Sequence, residues 1–251
     1  LPGNEAGIQP FSCVTHSTGG PIVRYWLHKY HADLPEQLCP LQHLVMLAPA
    51  NHGASLASIG QKRVGRIKSW FSGVEPGQRV LDWLKLGSDG QYQLNKATLT
   101  SEYFTQGVMP FVIAGQGIDT KMYDFLNSYL VENGSDGIIR VAGANLNYQF
   151  IHLQQTDDAL TKKTNGPLSL APTDQPAVKT PLQVPLLVLD DASHFGGKMG
   201  LLNSEHASPV HLKIAQHIVQ CLLVESSAQY QALLSDWKTA TDEAQQRIPV
   251  G

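Results

Sequence analysis

Four stretches of the chain are apolar almost without interruption: Phe11 to Val14, His43 to Ala48, Phe111 to Gly115 and Pro185 to Leu189. Continuous rather than alternating apolar character predicts strands covered on both faces, as in a parallel sheet. Elsewhere the period changes. Pro21-Ile22-Val23-Arg24-Tyr25-Trp26-Leu27 runs on to about Tyr30 at helical spacing, and Pro21 suits a first turn, where its missing N–H is no loss. Further helices are predicted at about 121–131 and 208–224, while Gly137 to Val141 reads as a short strand or as a turn entering a helix. Strands alternating with helices predict an α/β fold: a mostly parallel sheet with helices on both faces.

Two regions break this rhythm. Residues 58–106 carry Trp70, Phe71, Trp83, Leu84 and Leu86 among basic residues and glycines, with no clean strand, and predict a helical insertion that could act as a lid. Residues 155–183, rich in Thr, Pro, Asp, Asn and Lys, predict a long surface loop. The polar, helix-favouring tail from 225 to 247 predicts a solvated terminal helix. The chain then divides into a first core part at 1–57, the insertion at 58–106, a second core part at 107–224 and a helical tail at 225–251.

Composition narrows the function classes. A length of 251 residues fits one α/β domain with insertions, or two small domains. With 42% apolar and 16% charged residues, a net charge of −3 and no basic run, the chain has no electrostatic basis for a nucleic-acid partner. Cys13, Cys39 and Cys221 are too few and too scattered for a disulfide framework or a CxxC metal site. At most one bridge could form, and Cys13 reads as a small buried hydrophobe. No cofactor or metal site is predicted.

The chemistry concentrates at Thr15-His16-Ser17-Thr18-Gly19. A serine hydroxyl is a weak nucleophile until a base takes its proton and donors hold the oxyanion that forms. A G-x-S-x-G turn between a strand and a helix meets the geometric demand, because small residues let the chain bend sharply and leave the serine exposed. Here the first glycine is replaced by Thr15. The apolar strand before the motif and the apolar helix after it distinguish it from a Ser-containing loop of no consequence. Ser17 is therefore the candidate nucleophile, and the Thr18 N–H, at the positive end of the following helix, the candidate oxyanion donor.

Val14 to Tyr25, together with Ala48-Pro49-Ala50-Asn51-His52-Gly53 and Ser135-Asp136-Gly137-Ile138-Ile139, resembles the bacterial lipase branch of the α/β-hydrolases. That branch shows a HSxGG elbow, a P-x-x-H-G-S-like turn after the next strand and a later N-D-G-x-V segment. The resemblance spans roughly residues 10–55 and 110–200. It implies that Asp136 is the triad acid and that a histidine follows in the final loop, in the chain order Ser, acid, His. A turn role for Asp136 and the acid role for Asp119 are the alternatives. His194, in a small-residue loop just past the Pro185–Leu189 strand, is the candidate base. His206 and His211 lie later and suit surface or helix-capping positions, and His152 a structural one. His16 reads as an oriented neighbour facing away from the base, and His52 as bonded within its own turn.

These residues together predict a serine hydrolase cleaving carboxylic esters, lipid esters above all, through Ser17, His194, Asp136 and an acyl-enzyme. An acyltransferase using the same triad, or a non-catalytic binding protein of this fold, are the alternatives. The aromatic segment at 70–86, flanked by Lys62, Arg63, Arg66, Lys68 and Arg79, predicts either transient contact with a membrane surface or a cap with a solvated charged face. The longest apolar run falls well short of the roughly 20 residues that span a bilayer, and Leu1 opens no signal peptide. The sequence thus reads as soluble, bacterial cytoplasmic or secreted. Only 16 residues precede Ser17, fewer than the strands normally found before the elbow require. That predicts a separate N-terminal segment or chain, of about 80–150 residues by typical domain size, completing the sheet and bringing the second oxyanion donor.

Overall fold

The structure, a computed structural model, describes residues 9–31, 39–54, 77–99, 104, 107–118, 134–155, 170–173, 178–196, 198–202 and 208–247. The elements in chain order are β1 (Phe11–His16), α1 (Gly19–His31), β2 (Leu41–Leu47), α2 (Gln78–Leu84), α3 (Asp89–Thr98), β3 (Met109–Gly115) and α4 (Val141–Ala144). They continue as β4 (Leu186–Leu189), β5 (Ser193–Phe195), β6 (Gly200–Leu202), α5 (Pro209–Leu222) and α6 (Ser227–Gln246).

The central sheet has the order β1-β2-β3-β4, and every pair in it is parallel. Successive side chains of a strand point to opposite faces, and the apolar runs serve both. Leu44 and Met46 of β2 and Val112 and Ala114 of β3 join one cluster with Leu27 of α1, Leu84 of α2 and Ala144 of α4. Their neighbours Val45, Leu47, Phe111 and Ile113 join a second cluster with Ile214 and Cys221 of α5 and Tyr230, Leu233 and Trp237 of α6. Helices therefore cover both faces, as the sequence predicts. Both long C-terminal helices begin at capping serines: Ser208 with His211 in a reciprocal capping box, and Ser226 on the Gln229 N–H.

Several expectations need correction. The tail helix is not simply solvated. Tyr230, Leu233 and Trp237 are buried, the Tyr230 hydroxyl donates to the Pro110 carbonyl (2.9 Å), and Thr241 Oγ1 donates to Leu186 O (2.7 Å) while accepting from Val188 N (3.1 Å). Its polar residues mark only the outer side of an amphipathic helix. Within 155–183 the described residues are not all loop: Phe150–Ile151 pairs antiparallel with Val178–Lys179, and Leu153–Gln155 with Leu170–Pro172. Gly137 to Val141 is a turn entering the short α4.

Cys13 is half-buried rather than buried, on a strand whose Phe11 and Val14 are exposed, and all three cysteines are free. In the insertion, residues 77–99 form α2 and α3, while Trp70 and Phe71 lie outside the described residues. So do Asp119, the helix expected at 121–131 and His206. Among the described residues no helix is long and apolar enough to cross a membrane.

Candidate active site

The site forms where β1, β3 and β4 end. β1 hydrogen-bonds along β2 until the Ser17 N–H donates to Leu47 O (2.9 Å), and then the chain turns sharply into α1. Ser17 has φ of 54°, a left-handed conformation unusual for a side-chain-bearing residue. The surrounding small residues allow it. A Cβ on Gly19 would lie 3.1 Å from Thr15 Cβ, and one on Gly20 would lie 2.8 Å from Pro49 Cβ. Because Thr15 stands where a glycine is usual, the opposite side of the turn has little room for more than Gly19.

The candidate acid and base come from segments far apart in sequence. Asp136 is 1% exposed, and its Oδ1 accepts from the Ile138 and Ile139 N–H groups (3.0 and 2.7 Å), which leaves Oδ2 aimed at the histidine loop. His194, fully buried in β5, donates from Nδ1 to Asp136 Oδ2 (2.8 Å). That tautomer leaves Nε2 as acceptor, and the Ser17 hydroxyl lies 3.1 Å from it. The His194 N–H also donates to Asp136 O (2.9 Å), so backbone and side chain hold the two loops together. Gly115, at the end of β3, makes this approach possible: a Cβ there would stand 2.3 Å from Ala192 O and 3.1 Å from Asp136 Cβ.

The structure thus brings Ser17, His194 and Asp136 into one chain of hydrogen bonds, with Thr18 next to Ser17 at the start of α1. The other histidines stand elsewhere or act otherwise. His211 caps α5, and the His152 carbonyl accepts from Thr173 N (3.0 Å).

His16 is a neighbour, but it does not face away. Its Nε2 donates to His194 O (3.0 Å) and its ring centroid is 4.6 Å from that of His194. Burial, reinforced by His194 beside it, pushes its pKa down to about 4, so it is neutral near pH 7. His52 reaches well beyond its own turn. It donates from Nε2 to Asn145 O (2.8 Å) and accepts at Nδ1 from Asn95 Nδ2 (3.1 Å), and burial lowers its pKa.

The most consequential residue that sequence reasoning passed over is Arg24. It is fully buried on α1, and its Nη1 donates to Asn51 Oδ1 (3.1 Å). Its Nη2 donates to Asn95 Oδ1 (2.9 Å) and Thr98 Oγ1 (2.7 Å). Asn51 in turn donates to Ala144 O (2.8 Å), and the neighbouring Ala50 N–H donates to Ser17 O (3.2 Å). The network ties α1, the loop after β2, α3 and α4 to the backbone of the elbow. An arginine inside an otherwise apolar helical face was the available signal.

A parallel sheet flanked by helices, a strained serine at a strand–helix turn, and an acid and a histidine delivered in that order by later strand ends define the α/β-hydrolase fold, and the chain belongs to that superfamily. Among solved structures it is similar to the phospholipase PlaB from Legionella pneumophila, with a TM-score of 0.80 at 41% identity over 95% of this chain and 48% of that one. PlaB in complex with thio-NAD matches at 0.79 and 39%, over 95% and 47%. A lipase of Bacillus licheniformis, BlEst2 in its mature form, matches at 0.42 and 17% over 55% of this chain and 53% of that one. The chain thus spans about half the length of the phospholipase it matches. No protein-family model and no curated protein matches the sequence.

Proposed function

We propose that this chain carries the catalytic centre of a serine hydrolase that cleaves carboxylic esters of lipids, as a lipase or phospholipase. The observation that carries the reading is the buried sequence of hydrogen bonds from Ser17 Oγ through His194 to Asp136. His194 Nε2 takes the Ser17 proton as Oγ bonds to the ester carbonyl carbon, and Asp136 stabilises the imidazolium that results. The Thr18 N–H, at the positive end of α1, faces the developing oxyanion. The tetrahedral adduct collapses by expelling the alcohol, which takes the proton from His194. Water then attacks the acyl-enzyme with His194 again as base, releasing the acid and restoring Ser17.

The similarity to a phospholipase supports a lipid ester as the substrate class. The exposed Phe11 and Val14 on β1 support a further segment or chain lying along that strand. With His194 within reach of Ser17, the geometry favours catalysis over a binding-only role.

Hydrolysis of p-nitrophenyl esters and of phospholipid vesicles by the full-length protein and its Ser17→Ala variant tests the reading. Loss of about 10⁴-fold or more in kcat, with an unchanged melting curve, is the expected result. Equal hydrolysis by the two proteins would remove Ser17 from the mechanism.

A further inference from the structure

His194 is tethered to Asp136 twice, from its backbone N–H to Asp136 O (2.9 Å) and from Nδ1 to Asp136 Oδ2 (2.8 Å). A single bond at Nδ1 leaves the imidazole free to swing about that contact, and neither bond engages the His194 carbonyl. His16 meets both needs. Its Nε2 donates to His194 O (3.0 Å), and its ring stands 4.6 Å from the His194 ring, centroid to centroid, at 50°.

His16 is also the last residue of β1 and the neighbour of Ser17 in the chain. Its own place is set by the sheet, since it pairs with Leu47 of β2 and the next N–H, that of Ser17, donates to Leu47 O (2.9 Å). Ser17 and His194 are therefore linked by two routes. One is direct, from Oγ to Nε2 at 3.1 Å. The other runs through one peptide unit, the His16 side chain and the His194 backbone. A strand of the sheet fixes His16, and His16 fixes the segment that carries the imidazole.

The charge on His16 matters as much as its place. A carbonyl only accepts, so Nε2 of His16 carries the hydrogen. Burial, and then the neighbouring His194, hold its pKa down to about 4, with Asp136 acting the other way, so the ring is neutral near pH 7. When His194 takes a proton, the imidazolium meets a neutral ring on this side and the Asp136 carboxylate on the other nitrogen.

We propose that His16 is a positioning residue for the reaction, holding the His194 carbonyl and one face of its ring so that Nε2 stays against Ser17 Oγ while the proton moves. The proposal rests on Ser17 and His194 being nucleophile and base. Misplacement of reacting groups by about 1 Å costs on the order of a hundredfold in rate, so a partial loss of this support is expected to show in kcat rather than in KM.

Two measurements on the full-length protein test this. In the first, p-nitrophenyl butanoate hydrolysis is compared in wild type, His16→Phe, which keeps a ring but no donor, and His16→Gln, whose amide N–H replaces that of Nε2. His16→Phe should lower kcat about tenfold or more with KM within twofold. His16→Gln should recover kcat to within about threefold of wild type, and labelling of Ser17 by a small fluorophosphonate should slow in the same order. A kcat within twofold of wild type in His16→Phe, or equal losses in the two variants, overturns the proposal.

The second measurement needs no variant, and so stands even where His16→Phe fails to fold. Ring-nitrogen chemical shifts of the histidines report tautomer and charge. His16 is expected to be neutral and protonated on Nε2 between about pH 6 and 8. A proton on Nδ1 instead, or on both nitrogens in that range, overturns the proposal. Ser17→Ala separates the two readings. Activity lost in Ser17→Ala but intact in His16→Phe defeats the role of His16 alone. Full activity in Ser17→Ala defeats the nucleophile, and the role of His16 with it.

Discussion

The two faces of the central sheet are built on different principles. On the α5–α6 face the packing is apolar and aromatic: Phe111 of β3 sits with its ring 5.4 Å from Tyr230 and 6.3 Å from Trp237. On the α1 face, beneath the elbow, Arg24, Asn51, Asn95 and Thr98 are buried together and joined by hydrogen bonds. The difference follows from what each face must hold. α5 and α6 satisfy most of their own backbone groups, so side chains there mainly fill space, with Tyr230 and Thr241 also bonding strand backbone. The α1 face must fix the loops at the strand ends, whose backbone groups need partners from elsewhere. Ser17 stands on one such loop, so the polar face also holds the candidate site.

Paired substitutions sharpen that contrast, beginning with the largest change in stability. Trp237→Ala should lower unfolding free energy by about 3–5 kcal/mol through loss of packing, yet leave kcat nearly unchanged; chemical denaturation and ester hydrolysis read the two effects. Arg24→Met should lower stability by a smaller amount, about 2–3 kcal/mol, because Asn51, Asn95 and Thr98 lose a buried donor. It should also cut kcat about tenfold, since Asn51 adjoins the backbone contact that holds Ser17. If Arg24→Met and Trp237→Ala reduced kcat equally, the division between the faces would fail.

The smallest effect is expected in pH dependence. Burial holds the pKa of His16 down, to about 4, and lowers that of His52 as well. Both bind a proton more readily in the unfolded chain, whose histidines titrate near 6.5. Their contribution to stability is therefore complete above that value and is lost as pH falls below it, for His16 down to about 4. Tm measured across this window should fall with acidification, and less steeply in His16→Gln. An identical slope in the variant would exclude His16 as a source.

The order of elements and the elbow were legible because their signals are local. Continuous apolar runs at 43–48 and 111–115 reflect strands buried on both faces. The sequence Thr15-His16-Ser17-Thr18-Gly19-Gly20-Pro21 carries its own turn chemistry and helix start. Asp136 and His194 were named through chain order and resemblance, and the structure brings both to Ser17. The tail helix was misread because its polarity was weighed as a whole, while Tyr230, Leu233, Trp237 and Ala244 are buried. His52 was assigned to its own turn, because a partner such as Asn145, 93 residues away, leaves no local trace.

The sequence by itself determined the alternation of strand and helix, the double burial of the sheet and the sharp turn at Ser17, since each depends on neighbouring residues and their backbone preferences. Only the tertiary structure decided that Arg24 would be the buried hub beneath the elbow, that His16 would rest against His194, and that Tyr25 and Trp83 would line one groove. Those pairings join residues from 27 to 178 positions apart. They come into being when strand order and helix packing place distant segments side by side, and no local preference encodes that.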